Sequence, residues 1–204
     1  MPAKSTDTDS IRRRYNRTAL FYDWMDKMIP VKLRRKAVEL AKGKVLEVGV
    51  GTGTNLEFYL PGCEVIGIDF SPGMLAKAKA KLKKAIVPVK LLEMDAQHMT
   101  FSDNSFDTVI ATCVFCSVPD PVQGLKEVKR VCKPGGSIIL LEHVRSENPL
   151  WGWLMDVLNP VALRMIGSNI NRQTVKNINT AGIKPLIIEE HSGKIIKLIV
   201  AAPK

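Results

Sequence analysis

Three glycines at alternate positions, Gly49, Gly51 and Gly53, follow an apolar run in "VLEVGVGTGTNLEFY". Glycines so placed let a backbone come close to a ligand. Acidic residues accompany them. Glu47 precedes the loop, Asp69 closes "CEVIGID" sixteen residues after Gly53, and Asp95 stands in "EMDAQ". A carboxylate there can accept two ribose hydroxyls. A P-loop needs G-x-x-x-x-G-K-S/T, and no lysine follows Gly53; Thr54 and Asn55 do. The dinucleotide pattern G-x-G-x-x-G would need its third glycine where Thr54 stands. A dehydrogenase Tyr-x-x-x-Lys pair is also missing, since Tyr15, Tyr22 and Tyr59 are followed four residues on by Ala19, Asp26 and Cys63. Three acids around one glycine loop make a poor pocket for a pyrophosphate. They suit a ligand with a ribose, an exocyclic amine and a cationic centre. S-adenosylmethionine has all three. The expectation is that the glycines admit it, Asp69 takes the ribose and Asp95 lies near the adenine.

Methyl transfer from a sulfonium is an in-line displacement. The enzyme must align the reacting groups, exclude water and sometimes remove a proton. Candidates beyond the fourth and fifth strands are Thr112, Cys113, Cys116 and His143, with Tyr15 and Tyr22 from the N-terminal segment. His143 follows "IILLE" and reads either as a general base or as a capped strand-end histidine. Cys113-x-x-Cys116 has no second Cys/His pair near it, and a zinc site wants four ligands. No metal is expected, and the two thiols are expected to line the pocket. Methylation of planar amines uses Asn/Asp-Pro-Pro-aromatic after the fourth strand, where this chain reads "ATCVFCSVPDP". Nucleic-acid and protein-glutamine acceptors are therefore disfavoured.

These residues need a frame to hold them. "KVLEV", "CEVIGI", "VPVKLLEM", "FDTVIATCVF" and "GSIILLEHV" read as strands, alternating with helices at "TNLEFYL", "SPGMLAKAKAKLKK" and "DPVQGLKEVKRVC". Ser71 is the expected N-cap of the second of these helices, with Pro72 at its first position. After a helix at "NRQTVKNINTAG", "KPLIIEE" and "GKIIKLIVAA" form a closing hairpin. Strand–helix alternation with nearly unbroken apolar strands predicts an α/β fold around a mostly parallel sheet. Ligands of such sheets bind beyond the carboxyl ends of the strands.

The chain of 204 residues suits one domain, spanning 11–204 after a polar head at 1–10 that is expected to be disordered. The apolar stretch "LWGWLMDVLNPVALRMI" is broken by Asp156, Asn159, Pro160 and Arg164. It therefore falls short of the ~18 clean apolar residues of a spanning helix. The net charge is +10, and residues 11–42 hold ten Lys/Arg against three Asp/Glu. Such a basic face favours an anionic partner. Residues 11–29 show helical spacing of Ile11, Tyr15 and Tyr22, with Arg12, Arg13 and Arg17 around them, and Pro30 then leads into a second helix ending at Gly43. Four cysteines without an export signal predict a reducing, cytoplasmic setting.

"VLEVGVGTG", "GIDFSPGMLAKAK", "MDAQHMTFSDNSFDTVI" and "LKEVKRVCKPGGSIILLEHV" resemble the successive motifs of class I S-adenosylmethionine-dependent methyltransferases, over about residues 11–145. The resemblance implies a Rossmann-like, mostly parallel seven-stranded sheet in the order 3-2-1-4-5-7-6 with its last strand antiparallel, helices on both faces, basic N-terminal lid helices over 11–42 and an apolar substrate-cap insertion over 146–170. It implies S-adenosyl-L-methionine as cofactor and S-adenosyl-L-homocysteine as product. The residues it puts on the cofactor are Tyr22, Glu47, Gly49, Gly51, Gly53, Asp69, Phe70, Met74, Asp95, Ala96 and Thr112, and the candidate catalytic pair is Tyr15 with His143. "YNRTALFYD" resembles the lid helix of the quinone C-methyltransferases and bacterial phospholipid N-methyltransferases. "FYD", "VLEVGVGTG" and "SVPDP" are similar to bacterial phosphatidylethanolamine N-methyltransferases. "YLPGCEV", "CSV" and "LLEHV" are similar to the membrane-associated animal thiol methyltransferases, whose hydrophobic anchoring helix has no counterpart here. The implied acceptor is a phospholipid amine such as phosphatidylethanolamine, with a small thiol or a quinone as alternatives. A monomer touching an anionic membrane peripherally is expected. A non-catalytic protein that binds the cofactor and docks on membranes is the alternative of another class.

Overall fold

The computed structural model describes residues 29–166 and 168–203. The elements are α1 (Val31–Glu39), β1 (Lys44–Val48), β2 (Glu64–Asp69), α2 (Pro72–Lys81), β3 (Val89–Glu93), β4 (Phe106–Thr112), α3 (Pro121–Val131), β5 (Cys132–His143), α4 (Pro149–Ile166), α5 (Thr174–Thr180), β6 (Lys184–His191) and β7 (Ile196–Ala202). A short 3₁₀ turn, Leu82–Lys84, follows α2.

One seven-stranded sheet runs β3-β2-β1-β4-β5-β7-β6. The pairs from β3 to β5 are parallel, while β7 is antiparallel to both β5 and β6. The order matches the expectation from the sequence. Successive strand residues point to opposite faces, and each face has its own core. Leu46, Val48, Val109, Ala111, Ile138 and Leu140 pack with Leu125 and Val128 of α3 and Ile178 of α5. Val45, Val65, Ile110, Ile139 and Leu141 pack with Leu33, Ala37 and Val38 of α1 and Leu75 of α2. This two-faced burial is why the strands read as unbroken apolar runs.

Local chemistry sets the helix starts. Ser71 Oγ accepts from the Met74 amide at 3.2 Å, with Pro72 in the first turn. Asp120 Oδ1 does the same for Gln123 at 3.0 Å, before Pro121. These caps and prolines place the N-termini of α2 and α3 just beyond β2 and β4.

One predicted helix does not form. Residues 54–60, "TNLEFYL", make turns, with Leu56 and Phe58 amides donating to the Gly53 and Asn55 carbonyls. The side chains explain it. Asn55 and Tyr59 both turn inward to the buried Glu47, at 2.8 Å each. Pro61-Gly62 then leaves too few residues to continue a helix. The helix expected to reach Gly43 ends at Glu39. The apolar stretch 150–166 lies within an 18-residue helix, α4, with Pro160 inside it. No helix among the described residues is long and apolar enough to cross a membrane.

Candidate active site

The carboxyl ends of β1, β2, β3 and β4 converge on a cleft. It is lined by Gly49, Gly51, Ile68, Asp69, Phe70, Met74, Met94, Asp95, Ala96, Gln97 and the 113–119 loop, which contributes Cys113, Val114, Ser117, Val118 and Pro119. Two hydrogen bonds fold the glycine loop back on the sheet: Val50 N to Ile68 O and Gly53 N to Val50 O, both 2.9 Å. Gly49, Gly51 and Gly53 all have positive φ, 64°, 56° and 79°. Space forbids a side chain at two of them. A Cβ on Gly49 would lie 2.5 Å from Val114 Cγ2, and one on Gly53 would lie 3.0 Å from the Ala78 Cα of α2.

Asp69 anchors this corner. Its Oδ2 accepts from the Gly51 amide at 3.0 Å and its Oδ1 from the Ser71 amide at 2.9 Å. Burial pushes its pKa up to about 6, against backbone donors from Ser71, Gly51 and Phe70 that pull it down. Each carboxylate oxygen can accept again, so ligand hydroxyls can be added without breaking the loop. Asp95 Oδ1 accepts from the Gln97 amide and side chain at 2.8 and 3.1 Å. Gln97 Oε1 in turn takes the Asp120 amide at 3.0 Å, joining the loops after β3 and β4. Ile68, Phe70, Met74 and Met94 supply apolar walls. A carboxylate with lone pairs left for a ribose, apolar walls for a base and a second carboxylate beside them fit S-adenosylmethionine. Bound there, it would supply an electrophilic methyl on a sulfonium.

Gly49, Gly51, Asp69, Phe70, Met74, Asp95 and Ala96, assigned to the cofactor from the sequence, all line the cleft. Glu47 and Thr112 sit behind it. Glu47 is 1% exposed and accepts from Asn55 Nδ2 and Tyr59 Oη. Thr112 Oγ1 accepts from Arg34 Nη1 at 3.2 Å and Asn55 Nδ2 at 3.1 Å, and Arg34 also reaches Asn55 Oδ1 at 2.8 Å. This buried network holds α1, the glycine loop and β4 together. Gly53 packs the loop on α2. His143 ends β5, half-buried, and burial pushes its pKa down. Tyr15 and Tyr22 lie outside the described residues.

Sequence reasoning gave no cleft role to Gln97, Ser117, Val118 and Pro119, loop residues without periodicity, the last three met only within "SVPDP". It also missed Glu142, a charge inside "IILLEHV" that stands one residue before the histidine. Glu142 is completely buried, and its Oε1 takes the Val114 and Phe115 amides at 3.0 and 3.2 Å. Cys113 lines the cleft in a left-handed conformation, φ 54°, and its thiol pKa is raised well above the ordinary value, chiefly by burial. Cys116, expected beside it, is buried and does not line the cleft, and burial pushes its pKa up to about 11. Neither thiol is primed as a nucleophile.

A sheet of this order, with a glycine loop and carboxylates at its switch point, defines the Rossmann-like class that binds nucleoside cofactors. Residues 46–140 match the methyltransferase domain family. The chain is 40% identical over 149 residues to a phosphatidylethanolamine N-methyltransferase of Cereibacter sphaeroides, covering 71% of this chain and 73% of that one. It is 35% identical over 153 residues to a thiol S-methyltransferase of Homo sapiens, covering 72% of this chain but 63% of that protein's length. An S-adenosylmethionine-dependent methyltransferase of Thermotoga maritima superposes with a TM-score of 0.71 over 95% of this chain and all of its own, at 20% identity. The chain belongs to the S-adenosylmethionine-dependent methyltransferases.

Proposed function

We propose that this methyltransferase acts on the headgroup amine of a membrane phospholipid such as phosphatidylethanolamine, working on an anionic bilayer surface. The observation that carries this reading is the build of α4. Its inner face is pinned by polar bonds. Arg145 forks onto Asp156 at 3.1 and 2.9 Å, Asn171 reaches Asp156 at 3.0 Å, and Asn159 bonds Asn169 at 3.1 Å. Asn169 in turn donates to the Cys116 carbonyl through its amide at 2.9 Å and through Nδ2 at 3.1 Å. Thus α4 is tied to the loop that walls the cleft. Its outer face carries Leu150, Trp151 and Trp153 at 60–70% exposure, followed by Val157, Leu158 and Val161. An exposed apolar stripe with two tryptophans suits the headgroup–acyl boundary. The resemblance to phosphatidylethanolamine N-methyltransferases supports the same acceptor.

The second reading is a thiol acceptor, supported by the human relative. It ranks second because the phosphatidylethanolamine N-methyltransferase is the more similar of the two, 40% against 35% identical, and is matched over 73% of its length against 63%. Labelled S-adenosylmethionine with phosphatidylethanolamine vesicles, an alkyl thiol and a demethylated quinone separates the readings. Label is expected in the phospholipid. Turnover on the thiol or quinone with none on the lipid would reverse the order.

A further inference from the structure

No residue of α4 belongs to either core. Of its described side chains none is fully buried, and Gly152 alone is covered. The helix is apolar for most of its length, yet polar bonds hold it to the body. In the forked pair, Arg145 and Asp156 keep 28% and 43% of their side chains exposed, and ion pairs so exposed contribute little. How firmly α4 is seated therefore depends on what lies against its outer face.

The polar bonds of α4 run to one short strap, residues 169–172, which has α4 on one side and the cleft loop on the other. On the helix side, Asn159 Nδ2 donates to Asn169 Oδ1, Asn159 Oδ1 accepts from the Ile170 amide at 2.9 Å, and Asn171 donates to Asp156. Asp156 and Asn159 stand three residues apart and share one helix face. On the loop side, the Asn169 amide and its Nδ2 both grip the Cys116 carbonyl, and Arg172 Nη2 donates to the Val118 carbonyl at 2.6 Å. Ser117, Val118 and Pro119, which follow Cys116, are cleft walls. The near end of the loop has its own anchor, Glu142 on the Val114 and Phe115 amides. The strap therefore governs the far end. Asn169 is the joint: its Oδ1 is bonded to α4 and its Nδ2 to the cleft loop. The two atoms belong to one planar amide, so neither can move without the other.

Resting on the bilayer reading above, we propose that Asn169 is a positioning residue for methyl transfer, holding the far end of the 113–119 wall in a place set by the seating of α4. When α4 lifts, Asn159 leaves with it, Asn169 loses its Oδ1 partner and its grip on Cys116 loosens. When α4 is seated, these bonds close and Ser117, Val118 and Pro119 are held in the cleft wall. Methyl transfer tolerates little misplacement of the walls that align its reactants. A bilayer that covers the outer face favours the seated form, and it shifts the balance by the difference in its affinity for the two forms. The outer face of α4 and the cofactor cleft are then coupled, and the coupling is reciprocal.

The test uses the full chain and phosphatidylglycerol vesicles, which present an anionic bilayer and no amine acceptor. S-adenosylhomocysteine affinity is measured by calorimetry with and without them. Wild type should bind it at least about fivefold more tightly on vesicles, the lower end of ordinary coupling, and S-adenosylhomocysteine should tighten vesicle binding by the same factor. Asn159→Ala and Asn169→Ala should still bind vesicles, since the outer face is intact, and should lose that gain. On phosphatidylethanolamine vesicles both should lower kcat more than they change KM. The wild-type comparison needs no variant, so the coupling stays testable even where a variant does not fold. Variants that lose affinity equally on and off vesicles, keeping the gain, would make the strap merely structural and overturn the proposal. Wild type that binds vesicles with no change in S-adenosylhomocysteine affinity would overturn it too, and labelled turnover on phosphatidylethanolamine would then leave the phospholipid reading standing. Failure of the wild type to bind vesicles at all would remove the bilayer reading, and the coupling with it.

Discussion

We propose that Asp69 has two tasks, which can be pulled apart. It fixes the glycine loop through the Gly51 and Ser71 amides, and it offers its remaining lone pairs to the cleft. Asp69→Ala should weaken S-adenosylmethionine by about 1.5–3 kcal/mol, the range for hydrogen bonds to a charged group. Asp69→Asn keeps an acceptor for the loop and should lose less. The pH dependence is more specific. The free protein's Asp69 takes up a proton near pH 6. Ribose hydroxyls favour the ionised form, so binding lowers that pKa. Affinity should therefore fall as pH drops through about 6 and stay level above it. Calorimetry from acid to neutral pH should show this slope in the wild type and not in Asp69→Asn. A wild-type affinity that is level across that range would place the ribose elsewhere.

At the scale of elements, the glycine loop is fixed by what it touches. Gly49→Ala would put a methyl 2.5 Å from Val114 Cγ2, at φ 64°. The left-handed conformation alone costs an alanine about 1–2 kcal/mol, and the clash presses on the cleft wall. Thermal unfolding should shift downward, and cofactor affinity should fall with it. An unchanged affinity would mean that Val114 yields without disturbing the site. The strands, the Ser71 cap and the carboxylates at strand ends were legible because they follow periodicity and turn chemistry. The absent helix at 54–60 was not legible. Its outcome depends on Asn55 and Tyr59 turning inward to Glu47, which no spacing reveals. Glu142 was hidden for a related reason: one charge in an apolar strand reads as its polar end until the amides of Val114 and Phe115 are seen on it. In α4 the apolar stretch was legible, and the stripe that stays outside was not, since that depends on which face Asp156 and Asn159 pin inward. Trp151→Ala with Trp153→Ala should reduce binding to phospholipid vesicles severalfold while leaving S-adenosylhomocysteine affinity unchanged. Equal vesicle binding would remove α4 from the docking surface.

The whole molecule carries +10, and much of that charge falls early in the chain. A bilayer-facing enzyme needs two kinds of attraction, since apolar contact or charge alone gives weak and reversible anchoring. On the phospholipid reading, the exposed outer face of α4 would supply the apolar part. We propose that residues 11–29, of which 11–28 lie outside the described residues, supply the charge as an amphipathic helix that also lids the cofactor through Tyr15 and Tyr22. Each basic residue near an anionic surface contributes about 1 kcal/mol. Changing Arg12, Arg13 and Arg17 to Gln should then weaken binding to phosphatidylserine-containing vesicles by up to about 3 kcal/mol, roughly a hundredfold. Raised salt should imitate the change, because at ~0.1 M the screening length is only about 10 Å. Cofactor affinity should barely move, since these arginines are assigned to the lipid face. Tyr15→Ala and Tyr22→Ala should do the reverse, loosening the cofactor with little effect on vesicles. Co-sedimentation at low and high salt decides the matter. If the wild type ignores anionic vesicles at low salt, the early basic segment is solvated surface. The acceptor would then have to reach the cleft from solution, and the small thiol would become the better candidate.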